Sequence, residues 1–190
     1  MIRPYAPGDR AAVGKICIAT ACRSFPDPEL LPAVYAYPYV DLEPELAFVL
    51  DDGGTPVGYV LGTADTAAFA RRFRTEWLPV VAERFPDPAN PRTEAELLVA
   101  HLHRPERLVR PELAAWPAHL HIDLLPEAQG GGHGRALMTV FLQALASAGV
   151  PGVHLEVSDT NTGAISFYER LGFADVAQSP YGSRLLGRAP

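Results

Sequence analysis

Lysine is almost missing from this chain, and its absence removes one common kind of nucleotide site. Of the 16 basic side chains among the 190 residues, Lys15 alone is a lysine and the rest are arginines. A P-loop needs a lysine directly after its glycine-rich turn, so the sequence contains no P-loop. The arginine excess, together with abundant alanine and proline, is typical of a bacterial genome with a high GC content.

Cysteines and long apolar runs are also scarce. Cys17 and Cys22 are the two cysteines, which are too few for a disulfide framework or a paired-CxxC zinc site. No stretch approaches ~18 uninterrupted apolar residues, so we expect no membrane span. The first ten residues, "MIRPYAPGDR", lack the apolar core of a signal peptide. We therefore predict a cytoplasmic protein with reduced cysteines.

Positive charge is in deficit as well. The chain has 22 acidic and 16 basic residues and a net charge of −6, which argues against nucleic acid as the main partner. The same charge favours, weakly, a cationic acceptor. With 48% hydrophobic residues, the chain can bury a sizeable core, and we predict one domain over residues 1–190.

The order of predicted elements indicates an α+β fold. A strand at "MIRPY" and a helix are followed by a proline- and tyrosine-rich loop with short helical pieces at 24–44. Two strands joined by Gly53 and Gly54 form a hairpin, and residues from about 66 to 116 form a helical insertion. "AHLHIDLL", "GVHLEVS", "ADVAQSP" and "SRLLGR" are predicted strands, with a helix after each of the first two. One largely antiparallel sheet flanked by helices fits this mixture.

The stretch "PEAQGGGHGRALM" (126–138) is the most specific motif. A dinucleotide fingerprint, GxGxxG or GxGxxA, fails because its last position falls on Arg135 or Leu137. What remains is Gln129-x-x-Gly132-x-Gly134 between a strand and a helix. Such backbone amides at a helix N-terminus suit a pyrophosphate. The alternative from the residues alone is a flexible connection without a ligand.

This loop and the later segment Asn161-x-x-Ala164-x-x-Phe167-Tyr168-x-x-x-Gly172-Phe173 together resemble the GNAT superfamily of acyl-CoA-dependent N-acetyltransferases. The resemblance implies a sheet splayed between the fourth and fifth strands, where the acyl chain of coenzyme A lies. It implies that the backbone near Leu124 and Leu125 pairs with the pantetheine and polarises the thioester. It further implies a pyrophosphate site at Gln129, Gly130, Gly131, Gly132, His133, Gly134 and Arg135, and a coenzyme border at Asn161, Ala164 and Phe167.

A narrower resemblance covers most of the remaining chain. "YPYVDLEPELAFV", "GYVLGTADTAAF", "EWLPVV", "FYERLGF" and "LLGR" are similar to the bacterial relatives of the acetyltransferase-like C-terminal domain of O-GlcNAcase. That group carries the helical insertion between the third and fourth strands. The eukaryotic members have a degraded glycine loop, whereas the loop here is intact, which favours cofactor binding. The alternative function is a non-catalytic GNAT-fold module that recognises a protein or peptide.

Acetyl transfer needs an acid for the departing thiolate and a base for the amine. The resemblance places Tyr168 as the acid; the alternative is an aromatic of the core. His119, His121 and Asp123 alternate along one strand and share a face. Asp123 is the candidate base and His121 the reserve, against the simpler interpretation of a solvated face or a satisfied hydrogen bond. With His154, the same residues match a metal triad, but the family chemistry needs none and we expect no metal.

The expected partners follow from the same resemblance. They are acetyl-CoA as co-substrate and an amine acceptor, either a small molecule or a protein lysine, with no nucleic acid and no membrane. Neither cysteine lies in the motif region, which favours direct transfer. Tyr35, Tyr37, Tyr39 and Asp65 are candidates for the lining of the acceptor pocket. GNAT proteins are often homodimers, and no feature of the sequence decides the oligomeric state.

Overall fold

A seven-stranded sheet organises the computed structural model, which describes residues 1–179 and 182–190. The strand order is β1-β2-β3-β4-β5-β7-β6, and neighbours are antiparallel except β4 and β5. The strands are β1 (Ile2–Pro4), β2 (Ala47–Asp52), β3 (Thr55–Thr63), β4 (Ala118–Leu124), β5 (Val153–Ser158), β6 (Ala174–Gln178) and β7 (Ser183–Arg188). Pro180, the end of the predicted strand "ADVAQSP", lies outside the described residues.

Eight α-helices flank this sheet within the described ranges. They are α1 (Arg10–Thr20), α2 (Leu30–Tyr35), α3 (Tyr37–Leu42), α4 (Thr66–Arg72), α5 (Leu78–Val81), α6 (Glu94–Leu102), α7 (His133–Ser147) and α8 (Thr162–Arg170). A π-helical turn, Phe73–Trp77, joins α4 to α5. Short 3-10 turns begin at prolines 7, 44, 105, 111 and 126, where the missing N–H of proline costs no helical hydrogen bond. The predicted α+β class is confirmed.

The β2–β3 hairpin shows how local sequence sets the sheet. Gly53 and Gly54 have φ angles of 61° and 93°, the left-handed conformation that a two-residue hairpin turn requires. On either side of the turn, apolar side chains alternate between the two faces of the sheet. Val49, Tyr59 and Leu61 enter one apolar core, while Phe48 and Val60 enter the other.

Helices cover both faces of the sheet. On one face, α1 to α6 pack over β2, β3 and β4, with Phe69, Phe73 and Trp77 buried. On the other face, α7 buries the stripe Leu137, Met138, Phe141, Leu142 and Leu145 against the strands. Phe141 lies so close to Gly62 that a Cβ there would be 2.4 Å from its ring, which explains glycine in a buried strand.

The insertion runs from the end of β3 at Thr63 to the start of β4 at Ala118, as predicted. Trp77 fixes it to α2, because its indole Nε1 donates to the carbonyl oxygen of Ala33 at 2.9 Å. Thr93 starts α6 with a reciprocal cap, in which its hydroxyl accepts from Glu96 N–H and the Glu96 carboxylate accepts from Thr93 N–H. None of the helices found in the described residues has the length and apolar character to cross a membrane.

The β4 and β5 strands separate soon after they meet. Their parallel pairing comprises Ala118 with Val153 and His119 with His154, whereas β4 stays paired with β3 up to Leu124. Beyond His119, therefore, β4 faces an opening that we call the β4–β5 gap. The predicted splay between the fourth and fifth strands is confirmed.

Candidate active site

The glycine loop (residues 129–135) presents a helix end without a side-chain cap. Gly130 and Gly132 have φ angles of 79° and 80°, and Gly132 is the N-cap of α7. The first helical bond is Ala136 N–H to the Gly132 carbonyl, so the N–H groups of His133, Gly134 and Arg135 precede the helical ladder. Backbone donors at the positive end of a helix dipole can hold a phosphate group.

Three predicted site residues meet at the start of α7. A Cβ added at Gly134 would lie 3.3 Å from Phe167 Cζ and 3.8 Å from Leu124 Cδ1. The end of β4, the start of α7 and the middle of α8 therefore converge where the glycine loop begins its helix. Glycine at this position leaves the backbone open to a ligand that a side chain would obstruct.

Gln129 and Asn161 have structural partners in the protein. Gln129 Nε2 donates to the carbonyl oxygen of Leu124 at 2.9 Å, which folds the glycine loop back on the end of β4. Asn161 caps α8, because its Oδ1 accepts from the N–H of Ala164 at 3.1 Å. Both bonds shape the elements around the β4–β5 gap without needing a bound molecule.

The predicted role of the Leu125 backbone has to be corrected. Leu125 N–H donates to the carbonyl oxygen of Val57 at 2.9 Å, so it points toward β3 and away from the β4–β5 gap. Backbone groups alternate in direction along an antiparallel strand. The residues of β4 whose N–H and C=O face the gap beyond the β5 pairing are thus Leu120, Ile122 and Leu124. The backbone groups that can pair with an extended ligand are the N–H and C=O of Ile122 and the N–H of Leu124, because the Leu124 carbonyl already accepts from Gln129.

Tyr168 is a half-buried residue of α8 that packs against the core on the α7 face of the sheet. Its ring makes edge contacts with Phe167 and Phe173, at centroid distances of 5.3 and 5.7 Å. Burial raises the pKa of the phenol well above its usual value, and the negative charge of Asp123 raises it further. The phenol is therefore protonated at neutral pH and is a weaker acid than an exposed tyrosine.

Asp123 belongs to a small buried network on the other face of the sheet. The Tyr59 hydroxyl donates to its Oδ2 at 2.5 Å. Burial raises the pKa of the carboxyl group, although the hydrogen bond from Tyr59 opposes the shift. Next to Tyr59, burial raises the pKa of Cys17 to about 12, so this thiol is no nucleophile at neutral pH.

His119 and His121 are joined by a hydrogen-bond relay inside the protein. Thr66 Oγ1 donates to the Pro117 carbonyl at 2.6 Å, so it accepts from His119 Nδ1 at 2.7 Å. His119 Nε2 is then the acceptor of the Tyr39 hydroxyl at 2.8 Å. Tyr39 Oη in turn accepts from His121 Nε2 at 3.1 Å. These contacts leave the lone pair of neutral His121 on Nδ1.

The relay bears on two interpretations of this strand, the solvated face and the metal triad. The face is not a solvated one, because helices α1 to α4 cover it. Both ring nitrogens of His119 are engaged, and His154 Nδ1 bonds to the Trp116 carbonyl at 2.6 Å. The described part of the chain contains no group of His, Cys, Asp and Glu arranged to hold a metal. His119 is a hydrogen-bonded core residue. Burial lowers the pKa of both His119 and His121, so both rings are neutral.

A cavity of about 270 Å³ opens where β4 and β5 part. Tyr35, Tyr39 and His121 line it, together with residues of the insertion and of β5. Two predicted lining residues belong elsewhere. Tyr37 bonds through its hydroxyl to Glu29, and Asp65 caps α4 by accepting from two backbone N–H groups.

The sequence did not indicate the charged residues that line the cavity. It consists of Arg107 and Arg110 from the insertion and Glu156 from β5. Arg110 Nη2 lies 3.2 Å from Glu156 Oε2, and 46 positions of chain separate these residues. No local pattern marks such a pair, so only the fold could reveal it.

Comparisons with known proteins agree with this geometry. Residues 16–173 match the model of the acetyltransferase (GNAT) family. The crystal structure of SsHAT is 55% identical to this chain, with a TM-score of 0.96, and the match covers 100% of this chain and 97% of that one.

Two curated relatives are similar over different lengths. Protein O-GlcNAcase of Mus musculus is 30% identical over 200 residues, which include 99% of this chain but only 22% of the relative. Mycothiol acetyltransferase of Streptomyces griseus subsp. griseus is 48% identical over 52 residues, 27% of this chain and 17% of that protein. The chain thus spans about a fifth of the length of mouse O-GlcNAcase. Both predicted resemblances, to GNAT enzymes and to the acetyltransferase-like region of O-GlcNAcase, are confirmed, and this chain belongs to the GNAT family of acyl-CoA-dependent N-acetyltransferases.

Proposed function

We propose that this protein transfers the acetyl group of acetyl-CoA directly to a primary amine, in the β4–β5 gap. One observation carries the proposal. The uncapped start of α7, the gap-facing backbone of Ile122 and Leu124, and the cavity follow one another along β4. An anion site, an extended polar groove and a small pocket in line match a pyrophosphate, a pantetheine and an acceptor.

The glycine loop holds the pyrophosphate in this proposal. The N–H groups of Gly130 to Gly132 and of the first turn of α7 are its donors, with the exposed Arg135 at the rim. The gap-facing N–H of Ile122 or Leu124 binds the thioester carbonyl and stabilises the negative charge that develops on its oxygen. Acetyl-CoA supplies the activated acyl group.

Protons move between named side chains. As the amine nitrogen bonds to the acetyl carbon and the carbon–sulfur bond breaks, Tyr168 gives a proton to the departing thiolate. Asp123 takes the proton that the amine releases. We prefer Asp123 to His121 because burial raises the pKa of Asp123 above its usual value, whereas it lowers the pKa of His121 to about 4, away from the working pH. A general base works best with a pKa near the working pH.

Two further proposals concern the domain organisation and the location of the protein. We place residues 1–190 in one domain, because both apolar cores are built on one sheet. We place the protein in the cytoplasm, since both cysteines are free and Cys22 is exposed, which suits a reducing compartment.

Calorimetric titration with acetyl-CoA tests the proposal. Gly132→Glu puts a carboxylate where we place the pyrophosphate, and we expect the Kd to rise at least about 100-fold, because a like charge and bulk enter an anion site. Gly149→Glu is the matched control at the other end of α7. Its φ of 70° resembles the 80° of Gly132, and neither Cβ would meet an atom within 4 Å.

The possible outcomes separate the two functions. Binding by the unmodified chain and by Gly149→Glu, lost in Gly132→Glu, supports the coenzyme site. No binding by the unmodified chain would refute the enzyme and favour the non-catalytic module. Equal binding by all three proteins would show that the coenzyme lies elsewhere.

A further inference from the structure

The cavity at the closed end of the β4–β5 gap carries an excess of positive charge. Arg107, Arg110 and Glu156 are its charged lining residues. The lining histidines do not add charge near pH 7, because burial lowers the pKa of His101, His119, His121 and His154. Two guanidinium groups therefore face one carboxylate in a space partly shielded from water.

The single carboxylate is already occupied by protein donors. Glu156 Oε1 accepts from the hydroxyls of Ser179 and Ser183, the former at 2.8 Å. Its Oε2 accepts from Arg110 Nη2 at 3.2 Å. Glu156 is thus held in place by three donors, which weakens its capacity to attract the ammonium group of a ligand.

Both arginines have guanidinium N–H donors that are available to a ligand. Arg110 Nη1 is buried and has no hydrogen-bond partner within residues 1–179 and 182–190, an unusual state for a charged group. Arg107 is exposed, and its bond from Nε to the His101 carbonyl is long, at 3.4 Å. Its charge reaches into the cavity, since it adds to burial in lowering the pKa of His119 and His121. Planar guanidinium forks bind carboxylate and phosphate groups well.

We propose that the acceptor is a small primary amine that also carries an anionic oxygen group, a carboxylate or a phosphate, which Arg107 and Arg110 bind. The proposal rests on the transferase function above and names its substrate class. It reverses the weak preference for cations suggested by the net charge of −6, because charges farther away than the Debye length, about 8 to 10 Å, are screened.

The positive lining has a second effect on the same molecule. A nearby cation disfavours the protonated form of an amine, so the lining increases the fraction of neutral amine, the form that attacks a thioester. A polyamine or an aminoglycoside would keep its other ammonium groups beside Arg107 and be repelled. An amine with one anionic group gains an ion pair and leaves its amino group free for deprotonation.

The test compares matched pairs of acceptors. Amino acids are assayed beside their amides, glucosamine 6-phosphate beside glucosamine, and spermidine serves as the polycation, with release of the coenzyme thiol as the readout. We expect the anionic member of at least one pair to have a kcat/KM at least about tenfold above its partner, the effect of one charged hydrogen bond. The amino-acid and phosphate arms identify which anion is used.

Arg107→Gln locates the effect. For the preferred acceptor, KM should rise at least about tenfold, with the Kd of acetyl-CoA unchanged by calorimetry. The removed charge is exposed, so the fold should tolerate its loss. Arg71→Gln, an exposed arginine of the same insertion outside the cavity, should behave as the unmodified chain. Arg110→Gln, a second variant, should likewise raise the KM for the preferred acceptor.

The outcomes are distinguishable from failure of the transferase function. If acetyl-CoA fails to bind, that function fails. If acetyl-CoA binds but spermidine, an amide or unphosphorylated glucosamine is the better acceptor, the inference is overturned and the function stands. If nothing turns over, titration of the same pairs into the protein–coenzyme A complex decides, since anionic members must bind at least about tenfold more tightly than their partners.

Discussion

His121 makes the stability of this protein depend on pH in a way that can be calculated. The relay fixes its ring as neutral, with Nε2–H donated to Tyr39, and burial lowers its pKa from 6.5 to about 4. The unfolded chain therefore binds a proton near pH 6.5, whereas the folded chain does so only near pH 4. Between these values the unfolded state holds more protons, so stability rises with pH across this window and falls as the solution is acidified.

The magnitude follows from the two pKa values. Relative to pH 7.5, the loss from this one residue is about 2 kcal/mol at pH 5 and up to about 3 kcal/mol below pH 4. His121→Gln removes the titration and keeps an amide N–H that can reach Tyr39. The free energy of unfolding of the unmodified chain should therefore fall by about 2 kcal/mol more than that of the variant between pH 7.5 and 5.

Urea denaturation at several pH values measures this difference, with equal m-values as the check that the two unfolding reactions are comparable. The other histidines titrate in both proteins, so the difference reports on His121 and on its influence on the pKa of His119. His133→Gln, a change at an exposed histidine of the glycine loop, should follow the unmodified chain. Curves for His121→Gln and the unmodified chain that stay parallel within about 0.5 kcal/mol would refute the buried, neutral relay.

Two further substitutions test the site and its frame. Tyr168→Phe keeps the contacts with Phe167 and Phe173 but has no proton to give, so kcat should fall about 100-fold or more while the Kd of acetyl-CoA stays within about twofold; an unchanged kcat would exclude Tyr168 as the acid. Asn161→Ala removes the cap of α8, so unfolding should require about 1 kcal/mol less, a fall in Tm of about 2 to 4 °C by calorimetry, and no change in Tm would contradict the cap.

Features that depend on local backbone chemistry were predictable from the sequence. Gly53 and Gly54 mark the hairpin because its turn needs positive φ angles. The glycine loop is recognisable for the same reason, since Gly130 and Gly132 adopt a conformation that other residues avoid. Together with the segment around Tyr168, it was enough to predict the family and the splayed sheet.

Features that depend on side-chain direction were not predictable to the same degree. Tyr35 and Tyr39 are four positions apart and both face the cavity, whereas Tyr37, between them, points to Glu29. Composition marks all three alike, and only the helical turns of α2 and α3 separate them. Likewise, the sequence did not show that the backbone of Ile122 faces the gap and that of Leu125 does not. This depends on which residues of β4 hydrogen-bond to β3.

The short pairing of β4 with β5 gives this sheet two internal edge strands. Beyond His119 and His154, each presents backbone donors and acceptors that no neighbouring strand uses. Edges of this kind on a protein surface invite pairing with other chains and lead to aggregation. Here helices pack on both faces of the sheet around them, unlike at an outer edge. The fold thus places unpaired strand backbone inside its sheet, between two packed faces.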